Sequence, residues 1–266
     1  MIYVGIDDTD TLDDPGTNQL AKHLVRELAG QYTGQMILRH QLLDDPRVPY
    51  TSHNGCASIL FDDAAGCQAL TAKPDEHATN ENDQAQAAER RGHATPESIS
   101  SLIERLRDLI IAWCPAGSDP GLCVTTAVPP AAVIEWGLRC KRDLVTQQAA
   151  RQIAAENGIH LEGLGGTEDG VIGALAAIGL MATKNDGRVI YFGATNEDWY
   201  DVTGCLEVED ILARGVDEIL TADSHQPLVA GTVDIGKRLR PNYRNGKIVL
   251  YVARNEAPHW EAVRVK

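Results

Sequence analysis

The segment Met1–Thr11 reads MIYVGIDDTDT and joins an apolar run to a cluster of acids. Residues Met1–Ile6 favour β structure, which predicts a buried central strand. Asp7, Asp8 and Asp10 follow at once, and three carboxylates this close repel one another at the end of a buried strand. A hard cation such as Mg²⁺, bound through carboxylates and phosphate oxygens, would offset that charge. The segment therefore predicts a Mg²⁺ site formed by these three aspartates.

A helix is predicted beyond the acidic loop. Leu20, Leu24 and Leu28 have helical spacing, and Thr17 and Asn18 stand at the expected helix start. The N-terminus of a helix beside a metal site can receive phosphate oxygens, which predicts a phosphate-binding role for Thr17 and Asn18. The alternative is an exposed acidic turn in which one of these two residues is an ordinary N-cap.

The composition is that of an ordinary globular protein. The chain has 266 residues, of which 43% are hydrophobic and 23% charged. No apolar run is long enough to span a bilayer and no basic-then-apolar leader is present, so we expect a cytoplasmic protein without a membrane partner. Six cysteines are scattered without a CxxC pair, which argues against a zinc ribbon and predicts buried free thiols.

The formal net charge is −14. Proteins that grip RNA usually carry a basic face, because phosphate contacts supply most of the non-specific affinity. Autonomous tRNA binding is therefore predicted to be unlikely. The one local cationic segment is Gly236–Lys247, which is either a phosphate-binding surface or a solvated turn.

Hydrophobic periodicity places the remaining elements. Strands are predicted at 36–43, 56–61, 122–127, 189–192 and 248–252, and helices at 62–70, 98–113, 129–158, 171–179 and 206–213. Residues 73–96 are polar, with almost no large apolar side chain, and are predicted to be an exposed excursion.

Two further loops are candidates for binding. The first, Pro49–Gly55, contains His53, which could bind phosphate or act as an acid or base, and Asn54, which could face an acceptor. The second loop is rich in glycine and feeds a helix of small residues, so its backbone amides could cradle phosphate. Its candidate phosphate-binding residues are Gly165, Gly166, Thr167 and Gly170. On the residues alone, the favoured interpretation of His53 is a plain loop histidine beside an Asn-Gly turn.

Three stretches resemble the archaeal tRNA-isoleucine agmatinylcytidine synthetases: GIDDTDT at 5–11, the Pro-x-x-Pro loop from Pro46, and GVIGALAAIG at 170–179. That family uses ATP to activate a cytidine of the tRNA anticodon and couples agmatine to it. The resemblance implies metal or catalytic roles for Asp7, Asp8 and Asp10, a reactive threonine near Thr17, and nucleotide contacts near Thr9. It also implies a kinase-like domain accompanied by a ferredoxin-like domain.

The sequence also departs from that family. Thr51 and His53 stand where the family loop has basic residues, and the cysteine pairs of a zinc ribbon and an OB-fold extension are lacking. We therefore expect a stand-alone relative of the two catalytic domains, of α/β (α+β) class. The expected domains are a kinase-like mixed-sheet domain at 1–158 and a ferredoxin-like domain at 159–266.

The predicted function is phosphoryl transfer or ligation on a small molecule, with ATP and Mg²⁺ as cofactors. The catalytic candidates are Asp7, Asp8, Asp10, Thr17 and His53. Two alternatives stay open: tRNA cytidine modification with a partner that supplies RNA binding, and a non-catalytic nucleotide- or metal-binding module.

Overall fold

The computed structural model describes residues 1–11, 16–48, 54–63, 96–193, 199, 201–254 and 259–265. It is a mixed α/β structure built on one sheet of twelve strands, as the predicted fold class requires. The strands are β1 Ile2–Asp7, β2 Tyr32–Gln41, β3 Gly55–Asp63, β4 Gly121–Thr125, β5 His160–Gly163, β6 Arg188–Phe192, β7 Cys205–Glu207, β8 Glu218–Thr221, β9 Thr232–Asp234, β10 Asn242–Arg244, β11 Lys247–Arg254 and β12 Trp260–Ala262. The helices are α1 Thr17–Glu27, α2 Pro96–Trp113, α3 Ala131–Cys140, α4 Gln147–Glu156, α5 Gly170–Ala182 and α6 Val208–Ala213.

The strand order is β5-β4-β1-β3-β2-β6-β10-β11-β12-β9-β7, with β8 parallel to β11. β1 lies between β3 and β4 and is antiparallel to both. Its side chains alternate between the two faces of the sheet, as in any strand. Ile2, Val4 and Ile6 are buried in the core cluster that α1 and α2 cover, while Gly5 and Asp7 face α5 on the other side. The predicted buried strand at the N-terminus is confirmed.

Small residues allow α5 to pack directly against the sheet and against α3. A side chain at Gly5 would place its Cβ 2.0 Å from the Ala174 carbonyl oxygen, and one at Gly179 would lie 2.1 Å from the Val133 carbonyl oxygen. Eleven of the thirteen residues of α5 are buried. The sequence prediction of a close-packing helix in this region is confirmed.

The C-terminal strands form a third core cluster around Val233, Leu250 and Trp199. β5 pairs with β4, and α5 packs on β1 and β4, so residues 160–182 are packed with the N-terminal elements. A division into kinase-like and ferredoxin-like domains at Gly158 stays a prediction.

Several boundaries differ from the predicted ones. The region 129–158 is two helices, because the chain turns at 141–146 and α4 begins anew at the N-cap Thr146, whose hydroxyl accepts from the Ala149 amide. Asp62 and Asp63 belong to β3 and not to a helix, because they pair with Thr33 and Tyr32 of β2. The rest of that predicted helix and the polar excursion up to residue 95 lie outside the described residues.

Of the six cysteines, Cys56, Cys123 and Cys140 are buried free thiols, as predicted. The prediction is wrong for Cys205, which is exposed, because it begins an edge strand of the sheet. Cys114 is a free thiol that is only half-buried, and Cys67 lies outside the described residues. Within the described part of the chain, no helix combines the length and the apolar character that a membrane crossing requires.

Candidate active site

Asp7 ends β1 and directs its side chain toward the first turn of α5. A Cβ at Gly173 would lie 1.8 Å from an Asp7 carboxylate oxygen, so only glycine at this position leaves space for the carboxylate. The close packing of the α5 backbone on β1 therefore determines the position of the Asp7 carboxylate.

Asp8 brings the chain out of β1 with a positive φ of 54°. Aspartate and asparagine tolerate this left-handed conformation better than most residues. The Asp8 carbonyl accepts a hydrogen bond from the Asp119 amide at 3.1 Å. Because β4 runs antiparallel to β1, with Asp7 opposite Gly121, the residues that precede β4 lie beside the end of β1. This pairing brings Asp119 to the acidic loop.

Asp119 also holds the glycine-rich loop in place. Its carboxylate accepts from the Thr167 amide at 2.5 Å, and its carbonyl accepts from the Gly170 amide at 3.1 Å. A side chain at Gly166, where φ is +56°, would collide with the same carboxylate. The Thr167 and Gly170 amides are thus bonded to protein acceptors, and a phosphate-binding role for this loop stays a prediction that requires rearrangement here.

A fifth carboxylate, Asp169, stands at the start of α5. Its two oxygens accept from the Gln147 side chain at 2.6 Å and from the Thr167 hydroxyl at 3.1 Å. Asp7, Asp8, Asp10, Asp119 and Asp169 together form what we call the acidic cluster. Its members come from the end of β1, the segment before β4 and the N-terminus of α5.

Burial and mutual repulsion shift the titration of this cluster. Burial, followed by the charge of Asp8, raises the pKa of Asp7 from 3.8 to about 8. Burial, followed by the charges of Asp119, Asp10 and Asp169, raises the pKa of Asp8 to about 6. Within the described residues, no lysine or arginine forms a salt bridge with Asp7 or Asp8. A bound cation would relieve this repulsion, and carboxylate oxygens are the ligands that Mg²⁺ prefers.

The acidic cluster is not a preformed cage. Among the described residues, no three of its carboxylates bring ligand atoms within 4.8 Å of one another. Mg²⁺ usually keeps several waters and uses only one or two carboxylates together with substrate phosphates, so the arrangement fits Mg²⁺ held jointly with a nucleotide.

The start of α1 lies across the cleft from α5. Gly16 is the N-cap, so the alternative in which Thr17 or Asn18 caps the helix is wrong. Thr9 is fully buried and its hydroxyl donates to the Thr17 hydroxyl at 3.1 Å, which leaves the Thr17 proton available for an acceptor in the cleft. Asn18 is half-buried in the first turn of α1. The structure therefore brings Thr17 together with the predicted aspartates.

Asp7, Asp8, Asp10 and Asp169 line one cleft together with Thr17, whereas Asp119, Thr9 and Asn18 are not part of its lining. Its walls include Asp7, Asp8, Asp10, Thr17, Asn54, Cys140 and Ile172. Asn54 is in the predicted place, although its side-chain amide donates to the Leu43 carbonyl at 2.8 Å. Burial raises the pKa of the Cys140 thiol to about 12, so this cysteine is a protonated wall residue and a poor nucleophile. His53 lies outside the described residues, and its predicted role stays a prediction.

Neither Asp119 nor Asp169 is among the candidate residues that the sequence singles out. Asp119 precedes a strand, and a residue at that place reaches the end of β1 only if the two strands are antiparallel. No local pattern signals that direction. A sequence signal for Asp169 did exist, because it directly precedes a helix of small residues. An acid at that position lies beside the element against which the helix packs.

A buried polar network lies near the cleft. His40 is fully buried and contacts the Ser58 hydroxyl and the Asp186 carboxylate, each at 2.8 Å, and Lys141 donates to the same carboxylate at 2.6 Å. Burial lowers the pKa of His40, against the opposing influence of Asp186. Because Ser58 and His40 are completely enclosed, this set does not meet a substrate and instead joins β2 and β3 to the segment before β6.

A second cleft is strongly basic. It is lined by Arg188, Lys237, Arg238, Arg240 and Arg264 around the apolar side chains of Ile235, Leu250, Ala262 and Val263. Three of these cations come from the cationic segment that the sequence singled out, and the fold adds Arg188 and Arg264 to them. The acidic chain thus carries a concentrated positive site on its C-terminal strands.

Comparisons with known proteins find similar solved structures only at low identity. No protein-family model matches the chain, and no curated protein matches it. Two similar structures are a tRNA fluorescent labeling enzyme, with 20% identity and a TM-score of 0.47, and a complex of TiaS with tRNA(Ile2) and ATP, with 20% identity and a TM-score of 0.48. A third is TiaS with tRNA(Ile2), AMPCPP and agmatine, with 20% identity and a TM-score of 0.45.

These alignments cover 66–67% of this chain but only 35–36% of the longer chains they match. Likeness at this level does not establish a family. The chain is a mixed α/β protein with an acidic cleft at the end of an interior strand, β1, and it is similar in part to these structures.

Proposed function

We propose that this protein is an ATP- and Mg²⁺-dependent enzyme that transfers a phosphoryl group to a small-molecule acceptor, or ligates that acceptor through a phosphorylated intermediate. The observation that carries the proposal is the acidic cluster, which lacks a cationic partner for Asp7 and Asp8 in the described residues and faces the N-terminus of α1. A metal with nucleotide phosphates would meet both needs at once, because the cation offsets the carboxylates and the helix N-terminus favours anions.

The residues have distinct parts in this proposal. Asp7 and Asp8 would hold Mg²⁺, which when bound would neutralise the charge of the transferring phosphoryl group. Thr17 would donate its hydroxyl proton to a phosphate oxygen, while the hydrogen bond from Thr9 fixes the orientation of its oxygen. Catalysis of this kind relies mainly on positioning and charge neutralisation, which a rigid strand end and a close-packed helix provide.

The test is a calorimetric titration of the whole chain with ATP, with and without Mg²⁺. Asp8→Asn is the informative variant, because asparagine also tolerates the positive φ at this position and removes only the charge. We expect binding that requires Mg²⁺ in the wild type and is lost in Asp8→Asn. Asp108→Asn, on the exposed side of α2, is the matched control and should bind like the wild type.

Either of two results would reject the proposal: no Mg·ATP binding by the wild type, or equal binding by Asp8→Asn. Binding without ATP consumption across an acceptor screen would instead identify a non-catalytic nucleotide-binding module. The acceptor screen follows ADP or AMP release, since phosphoryl transfer yields ADP and nucleotidyl activation yields AMP.

A second candidate is an RNA substrate, and the basic cleft favours it. The expectation that autonomous tRNA binding is unlikely rested on the net charge of the whole chain. Five basic side chains gathered in one cleft are the electrostatic signature of a phosphate-binding surface. The same acidic cleft could then act on a nucleotide of the bound RNA.

Salt dependence distinguishes the two candidates. If RNA binds in the basic cleft, its affinity should fall linearly with log salt, and Lys237→Ala with Arg264→Ala should lower the slope by about one per lost phosphate contact. Both side chains are exposed, so the fold should tolerate these changes. Arg26→Ala on α1 is the control. An RNA affinity that the double variant leaves unchanged would exclude this cleft as the RNA site.

A further inference from the structure

Three short strands bring a cysteine, an aspartate and a histidine together on the C-terminal part of the sheet, away from the acidic cleft. Cys205 begins β7, Asp234 ends β9, and His259 directly precedes β12. Their ligand atoms lie within 4.8 Å of one another, and among the residues that the structure describes they are the one such group.

The strand register explains this convergence. Cys205 pairs directly with Asp234 across β7 and β9, so the two side chains lie on the same face of the sheet. Asp234 also pairs with Glu261 of β12, and His259 stands two residues before Glu261. Because side chains alternate along a strand, that spacing turns His259 toward the face that carries Cys205 and Asp234.

The backbone around the group is tied down. The Gly204 amide donates to the Gly236 carbonyl and the Ile235 amide to the Gly204 carbonyl, each at 2.9 Å. These bonds flank both Cys205 and Asp234. The Gly236 amide also donates to one Asp234 carboxylate oxygen at 2.8 Å, which orients the carboxylate and leaves its second oxygen for a ligand. Metal ligands are commonly oriented by such outer hydrogen bonds.

We propose that Cys205, Asp234 and His259 form a zinc site. Thiolate, imidazole and carboxylate are the three ligand types that Zn²⁺ takes in proteins, and a thiolate disfavours the hard cations Mg²⁺ and Ca²⁺. Tetrahedral zinc with bonds of about 2.0–2.3 Å separates its ligand atoms by about 3.3–3.8 Å. A shift of the ligand atoms by about 1 Å, through side-chain rotation, therefore brings them to the spacing that zinc requires. Binding releases the Cys205 thiol proton to solvent.

Three protein ligands leave the fourth zinc position open to water or to a ligand from solution, and Cys205 is exposed. The metal also links β7 to β12, which do not pair with each other because β9 lies between them. These strands have three residues each, and β12 shares only two register pairs with β9. Zinc therefore cross-links short strands with few register pairs at one edge of the sheet.

The test is a titration of the reduced, chelator-treated chain with Co²⁺, which replaces zinc and absorbs through thiolate-to-metal charge transfer. Saturating Mg²⁺ is present throughout to occupy the acidic cleft. We expect one Co²⁺ per chain with a charge-transfer band, displacement by Zn²⁺, and a higher melting temperature with Zn²⁺. Cys205→Ser should abolish the band, whereas Cys140→Ser, which removes the cysteine of the acidic cleft, should keep it.

His259→Gln and Asp234→Asn should each weaken Zn²⁺ binding by about 100-fold or more, because loss of even an outer-shell partner costs about 10- to 100-fold. Zinc should also protect Cys205 from alkylation in the wild type but not in His259→Gln. A charge-transfer band that survives in Cys205→Ser, or a Zn²⁺ affinity unchanged in His259→Gln, would overturn the proposal. So would the absence of stoichiometric binding by the wild type.

Discussion

Replacing Asp7 by asparagine should make the metal-free protein more stable while it removes the proposed metal binding. The fold raises the pKa of this carboxyl from 3.8 to about 8. Each pKa unit corresponds to about 1.4 kcal/mol, so ionising Asp7 in the folded chain at pH 8 costs about 5 kcal/mol relative to the unfolded chain. Asparagine keeps the shape and removes the charge, and we expect a gain of about 2–5 kcal/mol at pH 8 in EDTA.

The sign of the pH dependence follows from the same shift. Below pH 4 both the folded and the unfolded chain carry the proton, and Asp7 contributes no difference. Between pH 4 and pH 8 the folded state binds more protons than the unfolded state, so the free energy of unfolding of the wild type falls as the pH rises. The advantage of Asp7→Asn should therefore be small near pH 4 and largest at pH 8.

Urea denaturation at pH 5 and pH 8, in EDTA and in Mg²⁺, measures how the Asp7 charge and the metal each change the free energy of unfolding. The control Asp108→Asn should track the wild type at both pH values. In Mg²⁺ the wild type should regain stability at pH 8, whereas Asp7→Asn should not respond. The reasoning is refuted if Asp7→Asn is less stable than the wild type at pH 8 in EDTA, or if its advantage does not change with pH.

Three further outcomes are expected. Asp186→Asn should lower the free energy of unfolding by about 3 kcal/mol, because it leaves the buried His40 and its lysine neighbour without their carboxylate; His40→Phe in the same background should recover part of the loss in urea melts. Gly179→Ala should destabilise the chain by about 1–3 kcal/mol, since the added methyl collides with a backbone carbonyl of α3. Thermal melting measures this loss, with Ala182→Gly on the same helix as the comparison variant. Thr17→Val should weaken Mg·ATP binding by roughly tenfold through loss of one hydroxyl donor, and Thr17→Ser should keep it; equal affinity of both variants in calorimetry would contradict the role of the hydroxyl.

Sequence patterns correctly predicted those helices and strands whose hydrophobic pattern is local. The apolar run before Asp7 predicted β1, and the leucine spacing predicted α1, because both patterns are local. The start of the site at Asp7, Asp8 and Asp10 followed from charge alone. Asp119 was out of reach, since its approach to Asp8 depends on the antiparallel direction of β4, which a single sequence does not encode locally.

The helical region 129–158 shows a different limit. Its composition favours helix throughout, but a turn at 141–146 places Lys141 on Asp186, more than forty residues away. A tertiary contact of this kind overrides helix propensity, which is a weak prior. The metal triad was likewise invisible as a pattern, because its three ligands are separated by 29 and 25 positions and meet only through the strand register.

The acidic cluster has a consequence for folding kinetics. Asp119 and Asp169 reach Asp8 only after β4 and α5 have docked on β1, so the repulsion among these acids acts in full only on the finished structure. An interaction that forms late changes the unfolding rate and leaves the folding rate nearly constant. Divalent cations should accordingly slow unfolding of the native state without accelerating folding. The acidic cleft would then be the last part of the structure to form and the first to open.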